Sequence, residues 1–344
     1  MRRDVTAVGD SPKFASATLL PWRGMNFFQA RAYFPGLGEI DLLASPPLPQ
    51  ARQSFGGAED FMGVQSFSFG GAVLFPFANR IRGKMLPDGR TLETMVAGRK
   101  VLLPADWHGK APGAEKCAMH GLILESVMDV VEADSYHVKA ALDCGNFGGY
   151  WLSRALVEVE AELRAQALAF SLLVTNTGNE VLPVGIGWHP YFALPSKRRE
   201  QARVHVPARK RALVNNYDDV FPTGELVPVA DTPYDFTAPD GAALGSLYLD
   251  DSFVDLEKTR EGNTVVRILD PAAHYEVRLT AFSPHIRALQ VYSPSGKSFV
   301  VLEPQFNWAD PFSAVWPAGT DTGMVMLAPS EQVSWAIQWE LFVI

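Results

Sequence analysis

A histidine and a glutamate stand where an acid and a base could act together. His189 lies in the glycine- and aromatic-rich stretch 185–192, and Pro190 restricts it to an extended conformation. Glu303 ends the apolar run 299–302, and a carboxylate at the end of a buried strand is costly unless it is paired or functional. Burial would raise its pKa toward the range of a general base. A packed core histidine and a salt-bridged glutamate are the alternatives that the local sequence leaves open.

A second histidine and several polar residues extend this set. His120 precedes Gly121, which is typical of a bulge or a close backbone approach; a histidine at the entry of a strand is the alternative. Asp250 and Asp251 are adjacent carboxylates near a strand end, where they would face opposite sides of the strand or form a turn. Arg80 follows an apolar stretch and carries a guanidinium group suited to hydroxyls, carboxylates or phosphates.

Motifs for other chemistries do not occur in the sequence. It contains no HExxH, no paired CxxC, no GxxxxGK[ST] phosphate loop and no GxSxG. The two cysteines, Cys117 and Cys144, are far apart, which fits a reducing compartment better than a disulfide framework. We therefore expect neither a cofactor nor a metal.

Length and composition are typical of a turn-rich globular protein. The 344 residues carry a net charge of −8 and include 28 Gly and 25 Pro, both of which break helices. The acidic balance argues against a nucleic-acid partner, and two basic clusters, 197–199 and 209–211, are expected to be solvated loops. No stretch approaches the roughly 18 apolar residues of a membrane helix. We expect a cytoplasmic protein without a membrane partner, either a monomer or a homodimer.

The sequence predicts that the elements positioning these side chains are strands. Segments bounded by turn residues predict strands at 155–163, 166–176, 263–269, 275–282, 298–303 and 332–344, with a weaker candidate at 136–142. Their spacing suggests a sandwich or a barrel, and no low-complexity linker divides the chain. We therefore predict one all-β domain over residues 1–344.

Short motifs in a shared order resemble those of the aldose 1-epimerase (galactose mutarotase) family. The matches are Asn-Arg-Ile at 79–81 with the later Asp88-Gly89, Met-His-Gly at 119–121, His-Pro-Tyr-Phe at 189–192, Asp-Asp-Ser-Phe at 250–253, and Glu-Pro-Gln at 303–305 followed by Asp310. This resemblance implies a large antiparallel β-supersandwich with few short helices, which binds a free sugar on a concave face.

The resemblance also implies an activity, the interconversion of the α and β anomers of a free aldohexose. Glu303 would be the general base that takes the proton from the C1 hydroxyl. His189 would be the general acid at the ring oxygen, with His120 assisting. The residues expected to bind the sugar are Asn79, Arg80, Asp250 and Gln305. The aromatic residues expected around it are Trp188, Tyr191, Phe192 and Trp308.

The sequence departs from the family pattern beside the expected pocket. An apparent insertion occupies residues 93–117, Cys117 stands where the family often has Asn, and residues 308–311 read Trp-Ala-Asp-Pro instead of the common Pro-Asp-Ala. These differences bear on the substrate more than on the fold. A non-catalytic sugar-binding protein and a hexose-6-phosphate 1-epimerase are the alternatives. The cations available for a phosphate pocket would be Arg80, Arg82, Arg90 and Arg99.

Overall fold

The structure is a computed structural model that describes residues 1–3 and 11–344. In these residues the chain forms 27 strands, one short α-helix and five 3₁₀ helices, as expected from the abundance of Gly and Pro. The α-helix is Leu48–Ala51, and the 3₁₀ helices are Pro21–Arg23, Phe61–Phe67, Phe147–Gly149, Arg199–Gln201 and Pro271–Ala273. None of the helices in the described residues has the length and hydrophobicity that crossing a membrane requires.

Strands occur along the described chain from Lys13 to Val343. In chain order they are β1 (Lys13–Leu20), β2 (Asn26–Phe34), β3 (Gly38–Asp41), β4 (Gly71–Leu74), β5 (Arg80–Ile81), β6 (Lys84–Met85), β7 (Thr91–Val96), β8 (Arg99–Pro104), β9 (Trp107–His108), β10 (Lys116–Met119), β11 (Asp129–Ala133), β12 (His137–Gly145), β13 (Ala155–Leu163), β14 (Ala167–Asn176), β15 (Leu182–Val184), β16 (Gly187–Ala193), β17 (Arg203–His205), β18 (Ala208–Val214), β19 (Pro222–Pro228), β20 (Ala242–Ala243), β21 (Leu249–Leu256), β22 (Thr264–Asp270), β23 (Tyr275–Ala281), β24 (Ala288–Ser293), β25 (Phe299–Gln305), β26 (Val325–Leu327) and β27 (Gln332–Val343).

Two large antiparallel sheets dominate the fold. The nine-stranded sheet has the order β11-β12-β13-β14-β27-β23-β22-β17-β20, and the seven-stranded sheet has the order β19-β18-β21-β24-β25-β16-β4. Smaller sheets are formed by β1-β2-β3, β5-β10-β9, β6-β7-β8 and β15-β26. The molecule is thus an all-β, antiparallel β-supersandwich, and the predicted fold class is confirmed.

The strands predicted from the sequence are present. The seven segments correspond to β12, β13, β14, β22, β23, β25 and β27. The predicted strand 298–303 extends to Gln305, although Pro304 cannot donate to the sheet. The residue that we expected at the end of a buried strand therefore lies within it, because Glu303 pairs with Gln290 on the neighbouring β24.

The core lies where the inner faces of the two large sheets meet. Trp188 on β16 is fully buried. Its ring centroid lies 5.8 Å from that of Phe170 on β14 and 6.2 Å from that of Trp339 on β27. Large aromatic side chains of this kind dominate the energetics of a core. Because successive residues of a strand face opposite sides, the next residue, His189, faces away from this core.

The two basic clusters differ from the prediction of solvated loops. Arg199 is buried and donates hydrogen bonds to the carbonyl groups of Gly245 and Leu247. Arg211 lies on β18 and forms an ion pair with the fully buried Asp251. The prediction was wrong for these two residues, because acceptors that are distant in sequence satisfy both guanidinium groups inside the fold.

The apparent insertion builds a hairpin and a loop. Strands β7 and β8 pair over their whole length, and the chain then returns through β9 to β10. The connecting loop 109–115 has no strand of its own. It brings residues of the insertion to the edge of the cavity described below.

Candidate active site

The central candidate residues form a row across the seven-stranded sheet. Gln290 on β24 pairs with Ser252 on β21 and with Glu303 on β25. The register of β16 on β25 then places His189 next to Glu303. Residues directly opposite each other in an antiparallel sheet project from the same face. The register of the sheet therefore positions these side chains.

This face of the sheet is the floor of a cavity of about 340 Å³. Six of the seven residues predicted for the site line it: Asn79, Arg80, His120, His189, Asp250 and Glu303. Gln305, the seventh, is fully buried and not on the wall. The prediction that Gln305 contacts the sugar is therefore not met, because its amide lies behind the cavity wall and donates a 2.8 Å hydrogen bond to Oε2 of Glu303.

Glu303 and His189 are the closest acid–base pair in the cavity. Oε1 of Glu303 lies 3.4 Å from Nε2 of His189, and both side chains are buried. Burial raises the pKa of Glu303 well above its usual range and lowers the pKa of His189 to about 3, since desolvation disfavours the charged form of each group. Both shifts favour the neutral forms, a protonated carboxyl group beside a neutral imidazole.

His120 is held in a strained backbone conformation beside this pair. Its φ is 59°, and its ring centroid lies 5.0 Å from that of His189. Its Nδ1 accepts a 3.2 Å hydrogen bond from the backbone N–H of Asn79, so the neutral ring carries its proton on Nε2. A Cβ on Gly121 would lie 2.2 Å from the carbonyl oxygen of Phe75. This is the close backbone approach that the sequence predicted.

Arg80 and Asp250 belong to a hydrogen-bonded ring of polar side chains. The Arg80 guanidinium lies 3.5 Å from Asp250, and Gln290 donates to the same carboxylate at 2.6 Å. Asn79 donates to Gln290 at 3.1 Å and accepts from Arg80 at 3.0 Å. The Arg80 guanidinium also lies 5.0 Å from the centroid of the Trp107 ring. These contacts fix donors and acceptors suited to sugar hydroxyls before any ligand binds.

Asp250 and Asp251 have different surroundings. Asp250 lines the cavity, whereas Asp251 is an ion-pair partner of Arg211 and accepts hydrogen bonds from the Tyr217 hydroxyl group. Burial raises the pKa of both carboxyl groups, and the neighbouring Arg80 and Arg211 oppose that rise. The carboxylate nearest the candidate acid–base pair is that of Asp250.

The aromatic wall of the cavity differs from the expectation. Tyr191 lines it, but Trp188 and Phe192 face the core, and Trp308 packs against Trp316. The expectation was wrong for those three residues because it took nearness in sequence for a shared face. The aromatic and polar residues of the wall that sequence reasoning missed are Phe67, Ser68, Trp107, Lys110, Tyr217, Asp218, Tyr248, Gln290 and Tyr292. Gln290 had a visible signal, a lone amide in the apolar run 288–292.

The two histidines and Glu303 also have to be considered as metal ligands. One ligand atom from each of His120, His189 and Glu303 can lie within 4.8 Å of the others. The Nδ1 atom of His120 is, however, occupied by the N–H of Asn79. Coordination through Nε2 would move the ring proton to Nδ1, where it would face that N–H donor. The donor set therefore fits proton transfer and hydrogen bonding better than it fits a metal ion.

The fold is of the galactose mutarotase-like class. Solved structures share the fold. A galactose mutarotase-like protein from Clostridium acetobutylicum aligns with a TM-score of 0.74 and 20% identity, over 99% of this chain and 98% of that one. A GalM/aldose epimerase homologue from C. elegans aligns with a TM-score of 0.70 and 17% identity, over 95% of each chain. A galactose 1-epimerase from Lactobacillus acidophilus aligns with a TM-score of 0.65 and 16% identity, over 100% of this chain and 98% of that one.

The sequence comparison identifies the family. The family model for aldose 1-epimerase matches residues 52–339, and the chain therefore belongs to the aldose 1-epimerase family. The uncharacterized protein YphB of Escherichia coli is 31% identical over 117 residues, which are 32% of this chain and 37% of that protein. This match thus spans little more than a third of the relative's length. Because one fold hosts many functions, the reaction has to be argued from the site.

Proposed function

We propose that the protein is an aldose 1-epimerase that interconverts the α and β anomers of a free aldohexose. The observation that carries the proposal is the 3.4 Å separation of Glu303 Oε1 and His189 Nε2 on the floor of the cavity. Anomer exchange needs one proton removed from the C1 hydroxyl and one delivered to the ring oxygen. A carboxylate and an imidazole on one face can perform both transfers.

The protonation of Glu303 and His189 that burial favours suits this reaction. In the neutral pair, transfer of the carboxyl proton from Glu303 to His189 produces the carboxylate base and the imidazolium acid. Glu303 then takes the C1 hydroxyl proton while His189 protonates the ring oxygen, and the C1–O5 bond breaks to give the open-chain aldehyde. Rotation about the C1–C2 bond and reversal of both transfers close the other anomer. Protons and electrons balance over the cycle.

The remaining polar groups are assigned to binding and orientation. His120 offers a fixed N–H from Nε2, because its Nδ1 is already an acceptor, and we assign this donor to the ring oxygen or a neighbouring hydroxyl. Arg80, Asn79 and Asp250 are assigned to the sugar hydroxyls. Gln305 is assigned to the orientation of Glu303, to which it donates. Groups held in this way lower the cost of ordering when the sugar binds.

The charges around the cavity favour a neutral sugar over a phosphosugar. Of the four arginines considered for a phosphate, only Arg80 lines the cavity, where Asp250 neutralises it. Arg82 pairs with Glu115. Arg90 lines a different cavity. Arg99 forms an ion pair with Glu180. Lys110 at the rim is the cation that justifies testing a phosphosugar as well.

Polarimetry of freshly dissolved sugars tests the proposal. We expect the protein to accelerate the mutarotation of α-glucose or α-galactose and to act more weakly on glucose 6-phosphate. Acceleration with glucose 6-phosphate alone would assign the protein to the phosphosugar reaction. Calorimetric binding of the free sugars without acceleration would contradict catalysis and favour a sugar-binding protein.

A further inference from the structure

We propose that two loops clasped over the cavity make it selective for a single sugar ring. The first loop, residues 109–115, follows β9 and comes from the apparent insertion; the second loop, residues 215–221, connects β18 to β19. We call their mutual hydrogen bonds, made by Asp218 and Asp219, the clasp. The inference rests on the proposed function in one respect, namely that the ligand of this cavity is a sugar.

The clasp consists of carboxylates that accept backbone N–H groups. Oδ1 of Asp218 accepts from Lys110 at 2.8 Å, and both of its carboxylate oxygens accept from Ala111, at 3.1 and 3.0 Å. Oδ1 of Asp219 accepts from Glu115 at 3.2 Å. Hydrogen bonds to an ionised acceptor are roughly twice as strong as neutral ones. The two aspartates therefore hold both ends of the insertion loop.

Gly109 shows how closely the two loops approach each other. A Cβ at this position would lie 2.3 Å from Oδ2 and 2.6 Å from the backbone oxygen of Asp218. Contacts of this length do not occur between non-bonded heavy atoms, so a side chain here would force the loops apart. The close approach of the two loops therefore requires a glycine at position 109.

Each loop is also anchored to the body of the protein. Within its own loop, the side-chain oxygen of Asn216 accepts the N–H groups of Asp218 and Asp219, each at 2.8 Å. The Tyr217 hydroxyl group donates to Asp251 at 3.0 Å. On the other loop, the Glu115 carboxylate accepts from Arg82 at 2.6 Å. Both loops are therefore fixed before a ligand arrives.

The clasped loops close the cavity that contains the acid–base pair. Its lining includes Trp107, Gly109, Lys110, Tyr217 and Asp218. The cavity volume of about 340 Å³ is at the small end of the range for ligand pockets, about 300–1,000 Å³. In this proposal the second ring of a reducing disaccharide extends toward the side of the cavity that these loops line. Binding it would break charge-assisted hydrogen bonds, whereas a monosaccharide would leave the clasp intact.

Calorimetric titration with glucose and maltose tests this inference, because binding can be measured without catalysis. We expect the wild-type protein to bind glucose at least about tenfold more tightly than maltose, a discrimination within reach of a shaped pocket. Asp218→Ala removes three of the four hydrogen bonds of the clasp and should bring the ratio of the two dissociation constants toward one. Gly109→Ala should do the same by steric overlap, and Asp218→Asn, which keeps an acceptor oxygen, should retain most of the selectivity.

Asp88→Ala is the matched control. Asp88 also accepts backbone N–H groups in a turn, from Arg90 at 3.0 Å and Thr91 at 2.9 Å, but it does not line the cavity. Its selectivity should equal that of the wild type, and thermal unfolding should verify that every variant is folded. The inference is overturned if the wild type binds maltose as tightly as glucose, binds neither sugar, or keeps its selectivity in both Asp218→Ala and Gly109→Ala. Selective binding without accelerated mutarotation would contradict the proposed activity but not the inference about selectivity.

Discussion

Nε2 of His189 lies 3.4 Å from Oε1 of Glu303, and the two residues belong to neighbouring strands of one sheet. Because β16 and β25 are interior strands of that sheet, their hydrogen bonds fix the separation of the two groups independently of the loops around the cavity. Burial favours the neutral form of each side chain. Burial therefore favours a protonated carboxyl group next to a neutral imidazole.

The first prediction concerns the pH dependence of mutarotation. Raising the pH removes the proton of the pair only above the usual range of a glutamate, because burial raises the pKa of Glu303. Lowering the pH adds a second proton only near the lowered pKa of His189, about 3. Initial rates by polarimetry should therefore give a kcat/KM that does not fall on acidification through pH 6.5 and that falls as the pH rises past the raised pKa of Glu303. A steep loss of activity on acidification through pH 6.5, the ordinary pKa of histidine, would contradict this account.

The second prediction is that Glu303 destabilises the fold at neutral pH. Its pKa is raised in the folded protein, so its contribution to stability is complete below the unfolded value of about 4.5 and is lost as the pH rises. Each unit of the pKa shift corresponds to about 1.4 kcal/mol. Glu303→Gln cannot ionise and should exceed the wild type in free energy of unfolding at pH 7, but not at pH 4. Urea denaturation at both pH values measures the difference, and equal stability at pH 7 would count against a costly buried carboxyl group.

The third prediction separates the two adjacent aspartates. Asp250→Asn removes the charge that faces Arg80 in the cavity and should weaken sugar binding, raising KM by about tenfold, as expected for one hydrogen bond to a charged group. Asp251→Asn leaves Arg211 without its ion-pair partner and should lower the unfolding midpoint with a smaller effect on KM. Polarimetry and thermal unfolding of both variants test the division. The reverse pattern would mean that Asp251 is the sugar ligand.

The fourth prediction concerns the backbone that carries His120. Gly121→Ala would place a Cβ 2.2 Å from the carbonyl oxygen of Phe75, at a φ of 93°. We expect a loss of about 1–3 kcal/mol of stability together with a lower kcat, because His120 must shift. Gly89→Ala is the control, since Gly89 also has a positive φ, 67°, but nothing within 4 Å of its Cβ position. A kcat equal to that of the Gly89 variant would argue that the position of His120 is not critical.

The sequence indicated the strands and the candidate acid–base pair because both depend on local patterns. The alternation of apolar and polar residues along β13 and β27 is visible within each segment. Glu303 is conspicuous as a carboxylate in an apolar run. The same alternation explains one error. Trp188 was grouped with the neighbouring His189, although adjacent residues of a strand face opposite sides.

Other features of the site depend on register and tertiary contacts. Gln290 contacts Asp250 only because β24 pairs with β21 in one particular register. The insertion loop reaches the cavity because Asp218, about a hundred residues later, accepts its backbone N–H groups. No local pattern carries this information, so the sequence alone could not predict the outer wall of the cavity.

The most direct test of the proposed reaction is the polarimetric rate of α-glucose or α-galactose mutarotation with the wild type, Glu303→Gln and Glu225→Gln. Glu225 is exposed and does not line the cavity, so its variant controls for the loss of a carboxylate. We predict that Glu303→Gln loses about 10²–10⁴-fold in accelerated rate, as expected when a general base is removed, while Glu225→Gln retains the wild-type rate. A folded Glu303→Gln protein with the wild-type rate would contradict the central claim.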